Sequence, residues 1–363
     1  MKVLHVIGQL TPGGSEKMTL QVAGGLRARG DDHRIVALGE VDTTWIAGVD
    51  AAVPVIPLSI ADRDARSSAK ALRGLARHLR EVRPDIVQGH SWKSSVAAGL
   101  LGRALRLRTV ATLHRVYYPR LERSADRIVQ HAWDAVVVDS EAVRDLLAGS
   151  VAIDSGRIAV IPNFVAPEFF AMRAPQPHSG VMRVLMAAHF TPVKGHITLL
   201  EALRGLRGML AAPAIHVDFL GEGPLLEHAK SLVAAWGIED LVTFHGRRSD
   251  LPRWMDAADA VVLPSSWEGF GMILAEGMAA ARPVVACDVG GATEVVVDGA
   301  TGYLTPVGDA HALSAALRRL MDEPATRVRL GAAGRRRARQ HYGSGPVLDA
   351  YAGLYQRLAP RAQ

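Results

Sequence analysis

The sequence predicts an α/β protein made of two doubly wound domains in tandem. Short apolar runs alternate with longer amphipathic segments along the chain, which is typical of parallel sheets covered by helices on both faces. A proline-rich stretch at residues 162–180 interrupts this alternation and indicates a linker. The 363 residues fit two ordinary domains better than one. Ligands of such sheets bind beyond the carboxyl ends of the strands, so two domains facing each other would form a cleft.

The first half of the chain begins with a strand at Val3–Ile7. A helix is predicted at Ser15–Arg29, with Ser15 as its N-cap and Gly30 as its stop. A later helix at Ala65–Arg83 ends before a proline. The other strand candidates are short apolar runs with helices between most of them: His33–Leu38, Ile86–Val87, Arg108–Leu113, Ala135–Val138 and Ile158–Ile161.

The second half repeats the alternation. Predicted strands are Val184–Ala187, Ile215–Leu220, Val242–Phe244, Ala260–Leu263 and Pro283–Ala286. Predicted helices are His196–Leu210, Leu225–Trp236 and Met272–Ala281. The tail is helical from Ala310 onward, with a break at Tyr342–Pro346. Beyond it, Pro346–Leu358 carries an apolar stripe at a spacing of three to four residues, which predicts a helix with one face packed against the body of the protein.

Composition limits the class of protein and its partners. Hydrophobic residues make up 49% and charged residues 21%, which indicates a globular, soluble chain. The single cysteine, Cys287, suits a reducing compartment. The first apolar run has the length of a strand rather than of a signal peptide, and we expect a cytoplasmic protein. The net charge of +6 favours an anionic partner, but 5% aromatics without interleaved basic residues argue against nucleic acid.

The stretch from Leu263 to Gly277 combines the end of a strand, a glycine loop, a helix start and two glutamates. Its glycine loop, residues 269–271, offers backbone N–H groups at the start of a helix, where a phosphate would be stabilised together with the charge of Lys194. Glu276 follows in the second turn, within reach of a ribose, and Glu268 precedes the loop. Because glutamates beside a phosphate would repel it unless they accept from hydroxyls, the spacing predicts a sugar on each side of a diphosphate.

Short motifs over nearly the whole chain resemble those of the retaining glycosyltransferases of family 4, which have the GT-B fold. Each motif alone is weak, but their order and spacing together are specific. They are Gly13-Gly14-Ser15-Glu16, Ile161-Pro162-Asn163, Lys194-Gly195-His196, Leu199-Leu200-Glu201-Ala202, Gly221-Glu222-Gly223-Pro224, Phe244-His245-Gly246, Pro264-Ser265, Glu268 with Glu276, Gly290-Gly291-Ala292-Thr293-Glu294 and Thr301-Gly302.

The resemblance implies two Rossmann-like domains facing a cleft. The acceptor-side domain would span residues 1–165, with a C-terminal helix at 343–363 packing on it, and the nucleotide-sugar domain would span residues 180–342. The implied reaction transfers a sugar from a nucleotide diphosphate to a hydroxyl with retention, in assembly of bacterial cell-surface polysaccharide or glycolipid. It needs no cofactor and no essential metal. UDP and GDP both remain open as the carrier.

The resemblance also implies roles for single residues. Lys194 would stabilise the leaving diphosphate, Glu276 would bind the ribose, and Glu268 would bind hydroxyls of the donor sugar. His114 would reach the transferred sugar from the first domain. The other implied donor-binding residues are Gly14, Gly246, Arg247, Gly269, Phe270 and Gly271.

Two positions are less well defined by the resemblance. The family usually has an arginine five residues before the lysine, where this chain has His189, so the second cation on the diphosphate would be weaker. His90 ends a strand and would face the acceptor, although a buried histidine inside the core is the alternative. A sugar-nucleotide epimerase of the same fold and a non-catalytic nucleotide-sugar-binding protein are the alternative functions.

A basic stripe on the helix at 65–83 predicts contact with an anionic membrane surface. Its members recur every three or four residues and so share one side of the helix: Arg66, Lys70, Arg73, Arg77 and Arg80. Leu72, Leu75, Leu79 and Val82 are expected on the opposite side, packed against the domain. The attachment would therefore be electrostatic, on the inner face of the cell membrane, and it favours a lipid-linked acceptor.

Overall fold

The computed structural model describes residues 1–11, 13–48, 52–58, 65–113, 129–151, 153–176, 178, 180–209 and 214–359. Backbone contacts divide the chain into two compact units. The first unit comprises Met1–Asn163 together with Gly345–Gln363, and the second comprises Phe164–Ser344. His114 lies outside the described residues. No helix of the described part is both long and apolar enough to span a bilayer.

The first unit contains a parallel sheet with the strand order β3-β2-β1-β4-β5-β6-β7 among the described residues. The strands are β1 Lys2–Ile7, β2 Asp32–Ala37, β3 Val55–Pro57, β4 Ile86–His90, β5 Arg108–Thr112, β6 Ala135–Val138 and β7 Ile158–Val160. The helices are α1 Gly14–Ala28, α2 Thr43–Ala47, α3 Ala65–Val82, α4 Trp92–Ala104 and α5 Glu141–Val151. The apolar runs of the central strands are buried, which is why they form the middle of the sheet.

The second unit repeats this topology with the strand order β10-β9-β8-β11-β12-β13. Its strands are β8 Met182–Ala187, β9 Ile215–Leu220, β10 Val242–Phe244, β11 Ala260–Leu263, β12 Val284–Cys287 and β13 Gly302–Thr305. Its helices are α6 Pro167–Ala171, α7 His196–Arg207, α8 Leu226–Trp236, α9 Leu251–Ala257, α10 Met272–Ala279, α11 Ala292–Val295, α12 Ala310–Asp322 and α13 Pro324–Tyr342. One continuous apolar cluster connects the described strands to these helices.

The last helix, α14 at Ser344–Leu358, is part of the first unit. Leu348 packs so closely on α1 that a Cβ at Gly25 would lie 2.6 Å from its Cδ1. Arg29 pairs with Asp349 at 2.6 Å. The side chains that α14 buries are apolar or aromatic: Val347, Leu348, Tyr351, Leu354 and Tyr355. Tyr355 also donates a hydrogen bond from its hydroxyl to Gln88 Oε1 in β4, so the helix is held by both packing and polar contacts.

Three local predictions are wrong. Ser15 is not the N-cap of α1: the helix begins at Gly14 after Gly13, and the Ser15 hydroxyl bonds Glu16 instead. Residues 164–171 do not form a free linker, because Val165 and Phe169 are buried in the second unit. The helix predicted at Met272–Ala281 ends at Ala279, and Ala281 has a positive φ of 57°. The edge strands β3 and β13 have no counterpart in the prediction.

Candidate active site

Three loops meet at one edge of the second sheet, because the carboxyl ends of parallel strands lie together. They follow β8, β11 and β12. The amide of Ser266 donates to the carbonyl of Val193 at 2.8 Å, and the amide of Gly291 donates to the carbonyl of Glu268 at 2.9 Å. The loop after β11 is therefore bound on both sides by its neighbours.

Glycines make this close approach possible. A Cβ at Gly195 would lie 1.9 Å from the carbonyl oxygen of Pro264, and one at Gly291 would lie 2.0 Å from that of Gly269. At Gly290, the distance to the carbonyl oxygen of Glu268 would be 2.2 Å. Because all three are backbone contacts, a side chain at any of these positions would displace a loop rather than a rotamer.

Lys194 and Glu268 form an ion pair in this group of loops. Lys194 Nζ lies 2.6 Å from Glu268 Oε1, and the same oxygen accepts from Ser265 Oγ at 2.6 Å. The Glu268 side chain is 8% exposed, whereas that of Lys194 is 29% exposed. A buried carboxylate is costly without partners, and Lys194 and Ser265 supply them. Lys194 carries three donors, and its exposed side remains accessible to an anion.

The N-terminus of α10 points its first amides at the same loops. Gly271, the N-cap, adopts the left-handed conformation with φ 85° and ψ 58°. Gly269 and Phe270 are buried beside it, and the ring of Phe270 meets that of Tyr342 edge-on with centroids 5.2 Å apart. Glu276 is half-buried in the second turn of the helix. The helix start thus offers amide donors and a partial positive charge beside Lys194.

The loops after β8, β9 and β10 continue this edge. The amide of Phe190 donates to the carbonyl of Glu222 at 2.9 Å, and the amide of Gly221 donates to that of Gly246 at 2.8 Å. His189 is exposed. Arg247 is also exposed and lies 3.7 Å from the Glu222 carboxylate. The structure therefore gathers the predicted donor-binding residues of the second unit at one sheet edge.

The candidate residues of the first unit have different surroundings. Gly14 is exposed at the start of α1, and a Cβ there would meet nothing within 4 Å. His90 ends β4 and is 2% exposed, with its Nε2 2.9 Å from Nδ1 of His5. Its ring is therefore engaged with the interior. His114, which is predicted to contact the transferred sugar, lies outside the described residues.

Sequence reasoning did not find the buried histidine ladder, His90–His5–His33, to which His90 belongs. His5 Nε2 lies 2.9 Å from Nδ1 of His33, and all three rings are buried on β4, β1 and β2. Burial, together with the charges that His90 and His33 would carry, lowers the pKa of His5 well below its usual value. Burial likewise lowers the pKa of His33 to about 4. The signal for the ladder was a polar residue inside each apolar strand.

A second buried polar group, centred on Asp218 of β9, was also missed. Its carboxylate accepts from Arg183 Nη2 at 2.8 Å and lies 2.7 Å from His245 Nε2. Burial alone would raise the pKa of Asp218, but the hydrogen bonds from Arg183 and His245 outweigh burial and lower it. Because His245 directly precedes Gly246, this network positions the loop after β10.

Two family models match the chain in succession. The model described as Glycosyltransferase Family 4 matches residues 12–169, and the one described as Glycosyl transferases group 1 matches residues 170–337. The phosphatidyl-myo-inositol mannosyltransferase of Mycobacterium leprae is 30% identical over 350 residues, which cover 91% of this chain and 89% of that relative. The chain belongs to glycosyltransferase family 4. The family and the enzyme class predicted from the sequence are confirmed.

This family 4 glycosyltransferase is also similar over its full length to a further relative in sequence and to a solved structure in fold. The lipopolysaccharide core biosynthesis glycosyltransferase LpsD of Rhizobium meliloti is 26% identical, with 98% of each chain covered. The crystal structure of Anabaena HepE in complex with UDP and glucose superimposes with a TM-score of 0.83 at 20% identity, covering 98% of this chain and 99% of that one. The glycosyltransferase therefore has the predicted GT-B fold and is of the sugar-nucleotide class. The roles of its single residues stay predictions.

Proposed function

We propose that this glycosyltransferase transfers a hexosyl group from UDP-sugar or GDP-sugar to a hydroxyl with retention of the anomeric configuration. The observation that carries the proposal is the Lys194–Glu268 pair, 2.6 Å apart, within the glycine-lined loops at the start of α10. This arrangement places a cation and helix amides on one side of a carboxylate that can accept from sugar hydroxyls. A diphosphate requires cations and N–H donors, whereas the hydroxyls of a sugar require an acceptor such as a carboxylate.

In the proposed reaction, the bond between the anomeric carbon and the diphosphate oxygen breaks, and the diphosphate keeps the electron pair. Lys194 and the amides of residues 269–271 stabilise that developing charge, with Gly14 on the phosphate side and His189 as a weaker second cation. The acceptor hydroxyl attacks from the face that the leaving group vacates. Its proton passes to the diphosphate oxygen, so no covalent sugar–enzyme bond forms.

The remaining donor contacts follow from the same placement. Glu276 binds the ribose hydroxyls and Glu268 binds hydroxyls of the sugar, while the base lies near Gly246 and Arg247. His114 is proposed to contact the transferred sugar, and His90 is retained as a proposal on the acceptor side. A fold neighbour, HepE, has been crystallised with UDP, which supports a uridine nucleotide as the first donor to test.

The acceptor is proposed to be a hydroxyl of a lipid-linked or cell-surface saccharide. Two relatives support this class: LpsD is named for lipopolysaccharide core biosynthesis, and the mycobacterial relative acts on phosphatidyl-myo-inositol. The corresponding location is cytoplasmic, at the inner face of the cell membrane. This part of the proposal rests on the relatives and on the surface of α3.

The test is a donor panel with the parent, Lys194→Ala, Glu268→Gln and the control Lys230→Ala. Lys230 is an exposed lysine of the same unit that pairs with Glu227 at 2.8 Å. Loss of the charge-assisted contact should weaken UDP or GDP binding by about 10- to 150-fold in Lys194→Ala, from roughly 1.5–3 kcal/mol. Glu268→Gln should lower kcat more than donor affinity.

The outcomes separate the candidate functions. Nuclear magnetic resonance of the product should show the donor's anomeric configuration, and inversion would overturn the mechanism. Conversion of the donor sugar without its release would indicate an epimerase, and donor binding without either reaction would indicate a binding protein. Equal donor affinity of the parent and Lys194→Ala would remove Lys194 from the diphosphate.

The surface of α3 supports a peripheral membrane contact, with one correction. Lys70, Arg73, Arg77 and Arg80 are exposed, and the Arg66 side chain lies outside the described ones. Leu75 and Leu79 are buried as predicted, but Leu72 is 42% exposed rather than packed on the unit. Because Leu72 is the neighbour of Arg73, shallow insertion of an apolar side chain adds to the electrostatic attraction.

Vesicle sedimentation tests this contact. Arg73→Gln/Arg77→Gln should weaken binding to anionic vesicles by up to about 30-fold, from roughly 1 kcal/mol for each basic residue. Leu72→Ser should weaken binding less and independently of salt. The matched control is Arg253→Gln/Arg329→Gln, two exposed arginines of the second unit. Equal binding to anionic and neutral vesicles, or none to either, would leave α3 as a solvated helix face.

A further inference from the structure

The helix α13 is strongly basic. Its sequence from Pro324 to Tyr342 contains six arginines and no aspartate or glutamate. Like charges three or four residues apart destabilise a helix when nothing compensates them. Contacts that offset this repulsion therefore stabilise the helix.

Three of the arginines have backbone carbonyl groups as hydrogen-bond partners. Arg327, Arg335 and Arg337 donate to backbone oxygens near the ends of other elements, which helix geometry leaves without intrahelical partners. The contacts are Arg327 to Leu320 at 2.9 Å and His178 at 2.7 Å, Arg335 to Ala279 at 2.8 Å and Met172 at 2.6 Å, and Arg337 to Val295 at 3.1 Å and Glu294 at 2.7 Å. These three stabilise the second unit.

Two others, Arg336 and Arg339, line a cavity of about 390 Å³ in the second unit. Both residues are exposed. The guanidinium of Arg339 lies 5.7 Å from the centroid of the Phe170 ring, which orients its planar group. The rest of the lining is Arg335, Gln340, Ala174, Ala281 and Ala332, so no carboxylate is among the described residues that line it.

The position of the cavity separates it from the donor loops. Ala281 lies in the turn between α10 and β12, three residues before the strand begins, so the cavity lies at the amino-terminal edge of the second sheet. The loops that carry Lys194 and Glu268 lie at the carboxyl-terminal edge. Burial, and to a smaller extent the charge of Arg339, lowers the pKa of Arg335.

We propose that this cavity, the arginine cavity, binds a small organic anion through a phosphate monoester group. The guanidinium fork matches the oxygens of a phosphate, and the volume lies in the range of small-molecule sites. The alanines form an apolar floor for the organic part of the ligand. The phosphate would neutralise Arg336 and Arg339, which accounts for arginines that the carbonyl contacts leave unexplained.

The proposal is independent of the donor site and is tested on the full chain by calorimetric titration. The probes are glycerol 3-phosphate, inorganic phosphate, and sulfate at matched ionic strength. Vesicles of phosphatidic acid in phosphatidylcholine, compared with phosphatidylcholine alone, test a lipid headgroup as the source of the same chemistry. Glycerol 3-phosphate should bind more tightly than sulfate, because it adds contacts with the alanine floor.

Three variants locate the binding. Arg336→Gln/Arg339→Gln should weaken glycerol 3-phosphate binding by at least about tenfold. Ala332→Leu keeps every charge but fills the floor, and it should weaken the organic phosphate to a similar extent. Arg329→Gln, an exposed arginine of the same helix that does not line the cavity, is the matched control. Melting temperatures of the ligand-free variants should match that of the parent.

Two groups of outcomes would overturn the proposal. One is a calorimetric titration in which no phosphate probe binds at concentrations up to about 10 mM, which corresponds to a negligible affinity. The other is binding that Ala332→Leu leaves intact, or that Arg329→Gln weakens as much as the double variant, because diffuse surface charge would then explain it. Binding by vesicles alone, lost in the double variant, would assign the phosphate to a lipid headgroup.

Discussion

The two units share a strand order but differ in their interiors. In the second unit, the central strands β8, β9 and β11 connect through one apolar cluster. In the first unit, the equivalent central strands carry His5, His33 and His90 in a buried ladder, with the Tyr355–Gln88 hydrogen bond nearby. The shared order shows that apolar runs of strand length suffice to set the topology. The chemistry of single interior positions can then vary.

The loops at the sheet edges differ as well. In the second unit, Gly195 and Gly291 allow backbone to lie against backbone, so the donor loops are held by one another. In the first unit, Gly14 begins α1 in open space. The loops of the second unit therefore support one another, whereas a Cβ at Gly14 would meet no neighbouring atom within 4 Å.

The largest expected effect comes from removing α14, which belongs to the first unit. Truncation after Gly343 exposes the surfaces that five buried side chains cover. At about 1.5–3 kcal/mol for each, the loss is roughly 7–15 kcal/mol, comparable to the whole stability of a domain. Calorimetry should show the first unit unfolded and the second with its own transition. Two intact transitions would contradict the assignment of α14.

The next largest effect is expected from replacing a glycine by alanine, and it should differ between the two units. Gly291→Ala would place a Cβ 2.0 Å from the Gly269 carbonyl oxygen, so the loop must move by more than about 1 Å, and we expect a loss of about 100-fold in kcat/KM. Gly14→Ala has room in the free protein and should keep its melting temperature. If a donor phosphate approaches Gly14, that variant loses donor affinity alone. Full activity of Gly291→Ala would show that the loops are not held together.

The third prediction concerns the loss of stability of each unit as pH falls. Histidines in the unfolded chain titrate near pH 6.5, whereas burial lowers the pKa of His5 and His33 in the first unit, the latter to about 4. Between these values the unfolded chain binds protons that the native state does not, so the free energy of unfolding falls as pH falls. In the second unit, burial lowers the pKa of His196 to about 4.

Burial also lowers the pKa of His78 in the first unit and of His341 in the second. With three such histidines against two, the first unit should lose stability more steeply as pH falls, by at most about 1.4 kcal/mol per pH unit for each histidine. Calorimetric scans from pH 7 to about 4.5 would separate the two transitions. His196→Phe, whose ring can keep the stacking on Phe190 at a centroid distance of 3.8 Å, should flatten the pH dependence of the second unit alone. Identical slopes in the parent would argue against the ladder as the acid-sensitive element.

The smallest effect is expected at His189. His189→Arg places a permanent cation at an exposed position five residues before Lys194, and should raise donor affinity by a few-fold, from roughly 1 kcal/mol or less. The measurement is kcat/KM on the true donor at low and high salt, because screening reduces such a gain. A tenfold loss would instead identify His189 as a specific ligand.

What the sequence could predict follows physical rules. The buried central strands were recognisable because their apolar runs have strand length, whereas β3, three residues that end in a proline, gives no such pattern. The prolines of residues 162–180 predict a linker and give no sign that Val165 and Phe169 are buried. At the site, the residue types were readable, but the Lys194–Glu268 pair joins positions 74 apart and depends on the fold and on rotamers.

Because α14 packs on the first unit, the first unit cannot complete its fold until α14 has been synthesised. The contacts Arg29–Asp349 and Gln88–Tyr355 join residues 320 and 267 positions apart. The ribosome must therefore release almost the whole chain before the N-terminal unit can close, while the second unit, Phe164–Ser344, is already complete. Domains usually fold in the order of their synthesis, whereas this first unit can complete its packing only after the second unit has been translated.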